Sequence, residues 1–168
     1  EGEILDRHPK LRELIALFRS RHPEVVAHVA PTGEGFVGYA NRRLLSVVNR
    51  RKLERVLGYL LDENEFLGPY GIRSLSRYHR DHPFVFRLDG RTYDVAYLPA
   101  ESNTGMFGGN SNWRGPVWMP VNALIVRALL NLYAFYGDDL KGECPTGSGV
   151  RMNLFEVARE ISRRLTAT

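Results

Sequence analysis

The sequence predicts a mainly α protein that forms part of an α/α toroid and carries a small β-hairpin insertion. The stretch from about Val121 to Tyr136 is apolar on nearly every side, which is typical of an inner helix covered by other helices. The stretch that follows Asn153 is amphipathic, which is typical of an outer helix. Asp89–Gly90 separates two short alternating segments and predicts the hairpin.

The composition indicates a single globular domain, residues 1–168, or part of a larger one. The chain has 168 residues, of which 43% are hydrophobic and 25% charged, so a core can form without disulfides or metal. Cys144 is the only cysteine and is expected to be a buried small side chain. A reducing compartment fits this, and we predict a cytoplasmic location. The chain opens on Glu1–Gly2–Glu3 without Met or a signal peptide, which predicts excision from a longer parent chain.

The charge distribution argues against nucleic acid as a partner, although the net charge is +4. The 23 basic residues are interleaved with 19 acidic ones, and pairs such as Arg163–Arg164 usually line solvated helix faces. No apolar run approaches the ~20 residues that a bilayer span needs, so no membrane partner is predicted either.

Two helices are predicted in the first part of the chain. Pro9 precedes an apolar series at helical spacing, and His22–Pro23 ends it; the series is Leu11, Leu14, Ile15 and Phe18. A second helix runs from about Arg50 to Leu61. Its predicted apolar face consists of Leu53, Val56, Leu57, Leu60 and Leu61.

Loops and the hairpin fill the middle of the chain. Gly68 to Ser76 is predicted as a loop, and Pro99 to Gly109 as a second, glycine-rich one. Between them, strands are predicted from Phe84 to Leu88 and from Thr92 to Tyr97.

Two helices are predicted in the last part of the chain, joined by a loop over Glu143–Gly149. Gly137 ends the first, whose main stripe is Val121, Leu124, Ile125, Ala128, Leu129 and Leu132. Asn153 with Glu156 three residues on predicts a capping box at the start of the second. Its buried stripe is Leu154, Val157, Ala158, Ile161 and Leu165, and its water-facing residues are Glu156, Arg159, Glu160, Arg163 and Arg164.

The stretch from Gly108 to Asn122 is the strongest candidate for a binding site. It holds both tryptophans of the chain, together with Arg114 and three asparagines. Tryptophan offers a flat apolar face, while Arg and Asn offer planar hydrogen-bonding groups, a mixture that suits a sugar with C–H faces and hydroxyls. The alternative is a packed loop in which the tryptophans cap a core and the arginine binds backbone carbonyls.

Other patterns predict no site. His79 and His82 are three apart but have no third ligand of matching character nearby, so neither a metal nor another cofactor is expected. The glycines near Gly105–Gly109 lack a following Lys–Ser/Thr, and no serine has the Gly–x–Ser–x–Gly frame.

Four stretches resemble glycoside hydrolase family 63, the group of processing α-glucosidase I and bacterial mannosylglycerate and α-glucoside hydrolases. They are Tyr70–His79, Pro99–Ser102, Asn112–Asn122 and Glu143–Gly149, in matching order and spacing. The Trp–Arg–Gly–Pro–x–Trp string is the specific part. The resemblance covers most of the chain from Leu53 onward.

The resemblance implies an (α/α)6 barrel with the sugar bound in loops at one end, and an inverting mechanism. Such a mechanism needs a carboxylic acid and a carboxylate base about 6.5–9.5 Å apart. The family's segments for both are not recognisable in this chain, so no catalytic residue is assigned. A complete toroid has twelve helices and the chain holds about half that number, which again predicts a fragment.

The resemblance also implies the substrate-binding residues. Trp would stack on a sugar ring, and Arg114 and Asn122 would bind hydroxyls or a catalytic carboxylate. Glu101, the carboxylate closest to the motif, is interpreted as binding substrate or ordering its loop. The full predicted set is Tyr70, Arg73, Glu101, Asn112, Trp113, Arg114, Trp118 and Asn122.

These observations predict a fragment of an inverting glycoside hydrolase that acts on α-linked glucosides or mannosides. The alternative is a non-catalytic carbohydrate-binding or scaffolding module. The expected partners are a carbohydrate and the remainder of the parent chain. Apolar surface exposed where other helices belong also predicts self-association of the isolated piece.

Overall fold

The computed structural model describes residues 2–24, 38–39, 48–99 and 116–167. In these residues the protein is mainly α, with small antiparallel strand pairs. The helices are α1 (Gly2–Arg7), α2 (Pro9–Arg21), α3 (Arg50–Leu60), α4 (Met119–Tyr136) and α5 (Leu154–Leu165). The strands are β1 (Leu67–Gly68), β2 (Gly71–Ile72), β3 (Phe84–Leu88), β4 (Arg91–Val95), β5 (Lys141–Glu143) and β6 (Arg151–Asn153).

Helix α2 forms where predicted but leaves its apolar stripe in solvent. Pro9 stands at its start and His22 ends it. Leu14 and Phe18 are 57% and 53% exposed, and no residue of α2 is buried. The pattern therefore predicted the helix correctly, while its apolar stripe stays largely exposed in the part of the chain that the structure describes.

Helix α3 carries the first part of the core. The Asn49 side chain accepts a hydrogen bond from the Lys52 backbone N–H at 2.9 Å and caps the helix. Leu53, Leu57 and Leu61 are buried. Val56 was predicted on the same face but is exposed, because at 100° per residue it lies roughly a quarter turn from the centre of that face.

Helices α4 and α5 pack against each other, and together with α3 they contribute to one core. The core they share consists of Leu53, Leu57, Leu61, Leu67, Ile72, Leu129, Phe135, Tyr136, Leu140, Cys144, Leu154, Val157, Ala158 and Ile161. Burial raises the pKa of the Cys144 thiol, so Cys144 packs as a neutral small side chain, as predicted.

The orientation predicted for α4 is wrong in part. Of the predicted stripe, Leu129 is buried, but Val121 and Leu124 are exposed, whereas Asn122 is 1% exposed. A helix that is apolar nearly all round carries no pattern that shows which side faces the core. Gly137, at φ 57°, ends the helix as predicted.

The same helix corrects the expectation that no apolar run approaches the length of a bilayer span. Met119–Asp139 is long and apolar enough to cross a membrane by length and composition alone. Core helices of soluble proteins pass this test too. Here Leu129, Phe135 and Tyr136 of α4 lie in the core described above.

The predicted hairpin is confirmed as β3–β4, with Phe86 opposite Tyr93. Asp89 and Gly90 have φ values of 48° and 73°, the positive pair that a tight type I′ turn needs. No residue of either strand is buried.

Two further strand pairs, β1–β2 and β5–β6, were not predicted. β2 lies within the Gly68–Ser76 segment predicted as a loop, whereas β5 and β6 flank the predicted Glu143–Gly149 loop and overlap it only at Glu143. Their register places Gly68 opposite Gly71 and Gly142 opposite Met152. Strands of two or three residues are too short to show the alternation that predicts a strand.

The start of α5 confirms the capping box. The Asn153 side chain accepts from the Glu156 N–H at 2.8 Å, and Glu156 Oε2 accepts from the Asn153 N–H at 2.8 Å. Both bonds satisfy N–H groups that have no partner within the helix.

Shortening a fully buried core side chain tests this packing. Ile161 is 0% exposed, and Ile161→Val should lower the free energy of unfolding by about 1 kcal/mol through lost burial and a small cavity. Urea denaturation measures the change. Val150→Ala is the control: Val150 is 50% exposed, and its variant should stay within about 0.5 kcal/mol of the native chain. Equal effects would contradict this core.

Candidate functional site

The described parts of two of the resembling stretches, Tyr70–His79 and Asn112–Asn122, lie side by side in the structure. Arg73 and Val117 form an isolated antiparallel bridge, and the Ser74 N–H donates to the Pro116 carbonyl at 3.1 Å. The segment after β2 therefore runs beside the residues that lead into α4. This junction is the candidate site.

Asn122 joins the two stretches through its side chain. Its Oδ1 accepts from the Ile72 N–H at 2.8 Å, and its Nδ2 donates to the Ile72 carbonyl at 2.9 Å and to the Trp118 carbonyl at 3.0 Å. Both amide protons are used, and the residue is 1% exposed.

Gly71 allows this close approach. It has a φ of +119°, and a Cβ built on it would lie 2.5 Å from Leu165 Cδ2 and 3.1 Å from Asn122 Oδ1. The backbone conformation and the lack of space each favour glycine at this position.

Arg73 holds the loop that precedes it. Its Nη1 donates to the carbonyls of Glu63, Glu65 and Leu67 at 2.9, 3.1 and 2.8 Å. Its Cζ lies 5.8 Å from the centre of the Tyr97 ring, within cation–π range. At 9% exposure, Arg73 is a buried clamp on three carbonyls.

Ser76 and Glu65 close the other end of this loop. The Ser76 hydroxyl donates to the Glu65 carboxylate, and the Arg77 N–H donates to the Glu65 carbonyl at 3.0 Å. Ser76 Oγ also accepts from the Tyr78 N–H at 3.0 Å and caps the short 3-10 turn that leads towards β3.

Arg164 binds the loop from α5, which corrects its predicted place on a water-facing surface. It pairs with Glu63 and Glu160, both at 2.9 Å, and donates to the Gly68 carbonyl at 3.0 Å. Its side chain is only 11% exposed. Sequence spacing could suggest the Glu160–Arg164 pair, but no local pattern indicates the contacts with Glu63 and Gly68.

Glu160 carries a strongly perturbed carboxyl group. Hydrogen bonds from Arg163 and Arg164 lower its pKa to about 2, against the opposing effect of burial. Burial opposes the charged form of Arg164, but its hydrogen bonds to Glu160 and Glu63 and the charges of these two carboxylates raise its pKa.

Two of the predicted site residues are open to solvent. Tyr70, in the β1–β2 turn, is 62% exposed, and Trp118, at the start of α4, is 37% exposed. Tyr70 stands two residues before Ile72, which bonds to the Asn122 side chain. Trp118 bonds to the same side chain through its own carbonyl. The predicted site residues Glu101, Asn112, Trp113 and Arg114 lie outside the described residues.

No candidate metal site is found within the described ranges, where no group of three or more His, Cys, Asp and Glu residues could hold an ion. The His79 Nδ1 atom lies 2.9 Å from the His82 carbonyl oxygen. The His82 Nδ1 atom lies 3.3 Å from the Tyr78 carbonyl oxygen. These histidines are therefore engaged by the backbone.

Residues 16–167 match the family model of the mannosylglycerate hydrolase MGH1-like glycoside hydrolase domain. The chain belongs to this family. The assignment agrees with the resemblance to glycoside hydrolase family 63 drawn from its motifs.

Two curated relatives of this glycoside hydrolase domain come from yeasts. An uncharacterised protein of Saccharomyces cerevisiae is 48% identical over 166 residues, which are 98% of the chain and 15% of the relative. A probable mannosyl-oligosaccharide glucosidase of Schizosaccharomyces pombe is 34% identical over 83 residues, 49% of the chain and 7% of the relative. The chain thus spans a small part of the relatives it matches, and no solved structure matches it.

Gly71→Ala tests the close packing at the junction. Because the new methyl group meets Leu165 and the backbone needs a positive φ, we expect a loss of about 1–3 kcal/mol in the free energy of unfolding. Gly90→Ala is the control, since Gly90 also has positive φ but open space around its Cβ position. The loss measured by urea denaturation should be larger for Gly71→Ala, and an equal or smaller loss would contradict the packing.

Glu160→Gln tests the ion pairs of α5. Because the folded-state pKa of Glu160 is depressed to about 2, its stabilising effect is present above the ordinary pKa and is lost as the pH falls towards 2. We expect the variant to be less stable by about 1 kcal/mol at pH 7, a figure reduced for solvent screening. The gap should narrow below about pH 4.5. Urea denaturation at several pH values measures it, and a gap independent of pH would contradict the assignment.

Proposed function

We propose that this domain is part of an inverting glycoside hydrolase that acts on α-linked glucosides or mannosides, and that it carries part of the sugar subsite. Family membership supports the reaction class. The probable glucosidase among its relatives supports the sugar class. The observation that carries the placement is the pair of exposed rings, Tyr70 and Trp118, beside a backbone junction held by buried hydrogen bonds.

The chemistry of these rings suits a sugar. An aromatic face packs against the C–H groups of a pyranose, while the ring edge keeps a hydrogen-bonding group available for hydroxyls. We propose that Trp118 stacks on the ring and that Tyr70 contacts a neighbouring part of the ligand. Glu101, Asn112, Trp113 and Arg114 complete the proposed subsite.

The proposed architecture is one part of an (α/α)6 toroid, with α4 as an inner helix and α5 as an outer one. The partly buried core face of α4 and the capped, amphipathic α5 support this assignment. Leu124 and Leu130 of α4 are 66% and 40% exposed. We propose that the remainder of the parent chain covers this face, and that the isolated domain self-associates through it.

The acid and the base of the reaction are not assigned to this chain. An inverting enzyme needs two carboxyl groups about 6.5–9.5 Å apart, one of them protonated. Of the loop carboxylates, Glu63 binds Arg164 and Glu65 accepts from Ser76. We therefore propose that both catalytic groups come from other segments of the parent chain.

Trp118→Ala tests the sugar subsite. We expect its affinity for methyl α-glucoside or methyl α-mannoside, measured by isothermal titration calorimetry, to fall by about tenfold, because a stacking face worth roughly 1 kcal/mol or more is lost. Tyr59→Ala is the control: Tyr59 is also exposed, at 58%, but lies on α3. Equal affinities of Trp118→Ala and the native chain would contradict the proposal.

The stereochemistry of hydrolysis by the complete parent protein tests the mechanism. Proton NMR of the first product should show the β-anomer released from an α-linked substrate, because a single displacement inverts the anomeric carbon. Release of the α-anomer would contradict inversion. Sugar binding without any hydrolysis by the complete protein would support a non-catalytic carbohydrate-binding module instead.

A further inference from the structure

We infer that Asn122 is a positioning residue, whose buried carboxamide fixes the Tyr70 turn and the Trp118 end of α4 in one arrangement. The inference deepens the proposed function and rests on it, since these two rings are the proposed sugar contacts. It assigns Asn122 a structural task that is distinct from touching the ligand.

The carboxamide takes the place of a third strand beside β2. Ile72 lies opposite Leu67 of β1, yet its N–H and its carbonyl both bond to the Asn122 side chain, at 2.8 and 2.9 Å. An amide side chain offers a C=O acceptor and N–H donors, the same kinds of group that a residue of a neighbouring strand presents. Asn122 thereby pairs backbone groups that β1 does not reach.

The second amide proton ties this edge to α4. Nδ2 donates to the Trp118 carbonyl at 3.0 Å, and that carbonyl also accepts the Asn122 backbone N–H at 3.1 Å. One side chain therefore bonds to Ile72, two residues from Tyr70, and to Trp118 itself. The relative position of the two exposed rings depends on these bonds.

Burial separates this role from ligand contact. Asn122 is 1% exposed, and both of its amide protons are already donated to backbone carbonyls. Binding a hydroxyl through Nδ2 would leave a buried carbonyl unpaired, which is unfavourable. Trp118 at 37% and Tyr70 at 62% exposure are instead accessible to a ligand.

The chemistry also requires asparagine rather than a residue of similar shape. Aspartate would keep the volume and the acceptor but place a carboxylate against the Ile72 and Trp118 carbonyls. Leucine would keep the volume and lose all three bonds. Each change leaves backbone groups without partners at the same junction.

Fluorescence of Trp118 tests the inference without a ligand. The sequence contains two tryptophans, so a Trp113→Phe background leaves Trp118 as the single indole. In that background, Asn122→Ala should raise the acrylamide quenching constant of Trp118 about twofold, because the start of α4 loses its tie to β2. The matched control is Asn153→Ala, which removes an asparagine that caps α5 at another place and should leave the quenching constant unchanged.

Sugar binding gives the second measurement, made with Trp113 intact. Asn122→Ala should weaken the binding of methyl α-glucoside or methyl α-mannoside at least tenfold, while Asn153→Ala, also destabilised, should bind as the native chain does. Should Asn122→Ala not fold, Asn122→Asp replaces it, with the same expected directions.

The outcomes separate the two proposals. Quenching and affinity changes in Asn122→Ala no larger than those in Asn153→Ala would overturn the positioning role. A native chain that binds neither sugar would overturn the proposed function, while the quenching comparison would still decide whether Asn122 sets the position of Trp118.

Discussion

The hydrogen bonds of the Asn122 carboxamide are the interaction on which the candidate site depends. They join β2 to α4 at a point where a side chain in place of Gly71 would have no room. Arg73 and Arg164 extend the same arrangement to the loop between α3 and β2, Arg73 from the position directly after β2 and Arg164 from α5. Two buried side chains, Asn122 and Arg73, and the largely covered side chain of Arg164 thus hold one short segment.

This arrangement concentrates polar groups at a place that also lies against the apolar core. Ile72 belongs to that core together with Leu67 and Ile161. Buried carbonyls and N–H groups are tolerated there because each finds a partner, which is the general condition for polar atoms inside proteins. The core fixes the helices, and the side-chain bonds fix the loop on top of them.

Local signals in the sequence predicted the local features well. The capping box at Asn153, the Asp89–Gly90 turn and the end of α4 at Gly137 each depend on a few neighbouring residues. The core face of α4, the short strand pairs and the long-range contacts of Arg164 depend on residues distant in sequence. No periodicity or motif contains that information. For the candidate site, the sequence singled out two stretches whose described parts lie together in the structure, and it could not show that Arg73 and Asn122 are buried.

The burial of Gly71, Arg73 and Asn122 affects how this family can be engineered. In a saturation library selected only for turnover, these positions would tolerate as few replacements as genuine ligand contacts, because misplacing the rings and losing a contact have the same phenotype. Measuring the cellular abundance of every variant in parallel would separate the three buried positions from positions that contact a ligand. Libraries meant to test the proposed sugar contacts should therefore vary Tyr70 and Trp118 and leave the three buried positions unchanged.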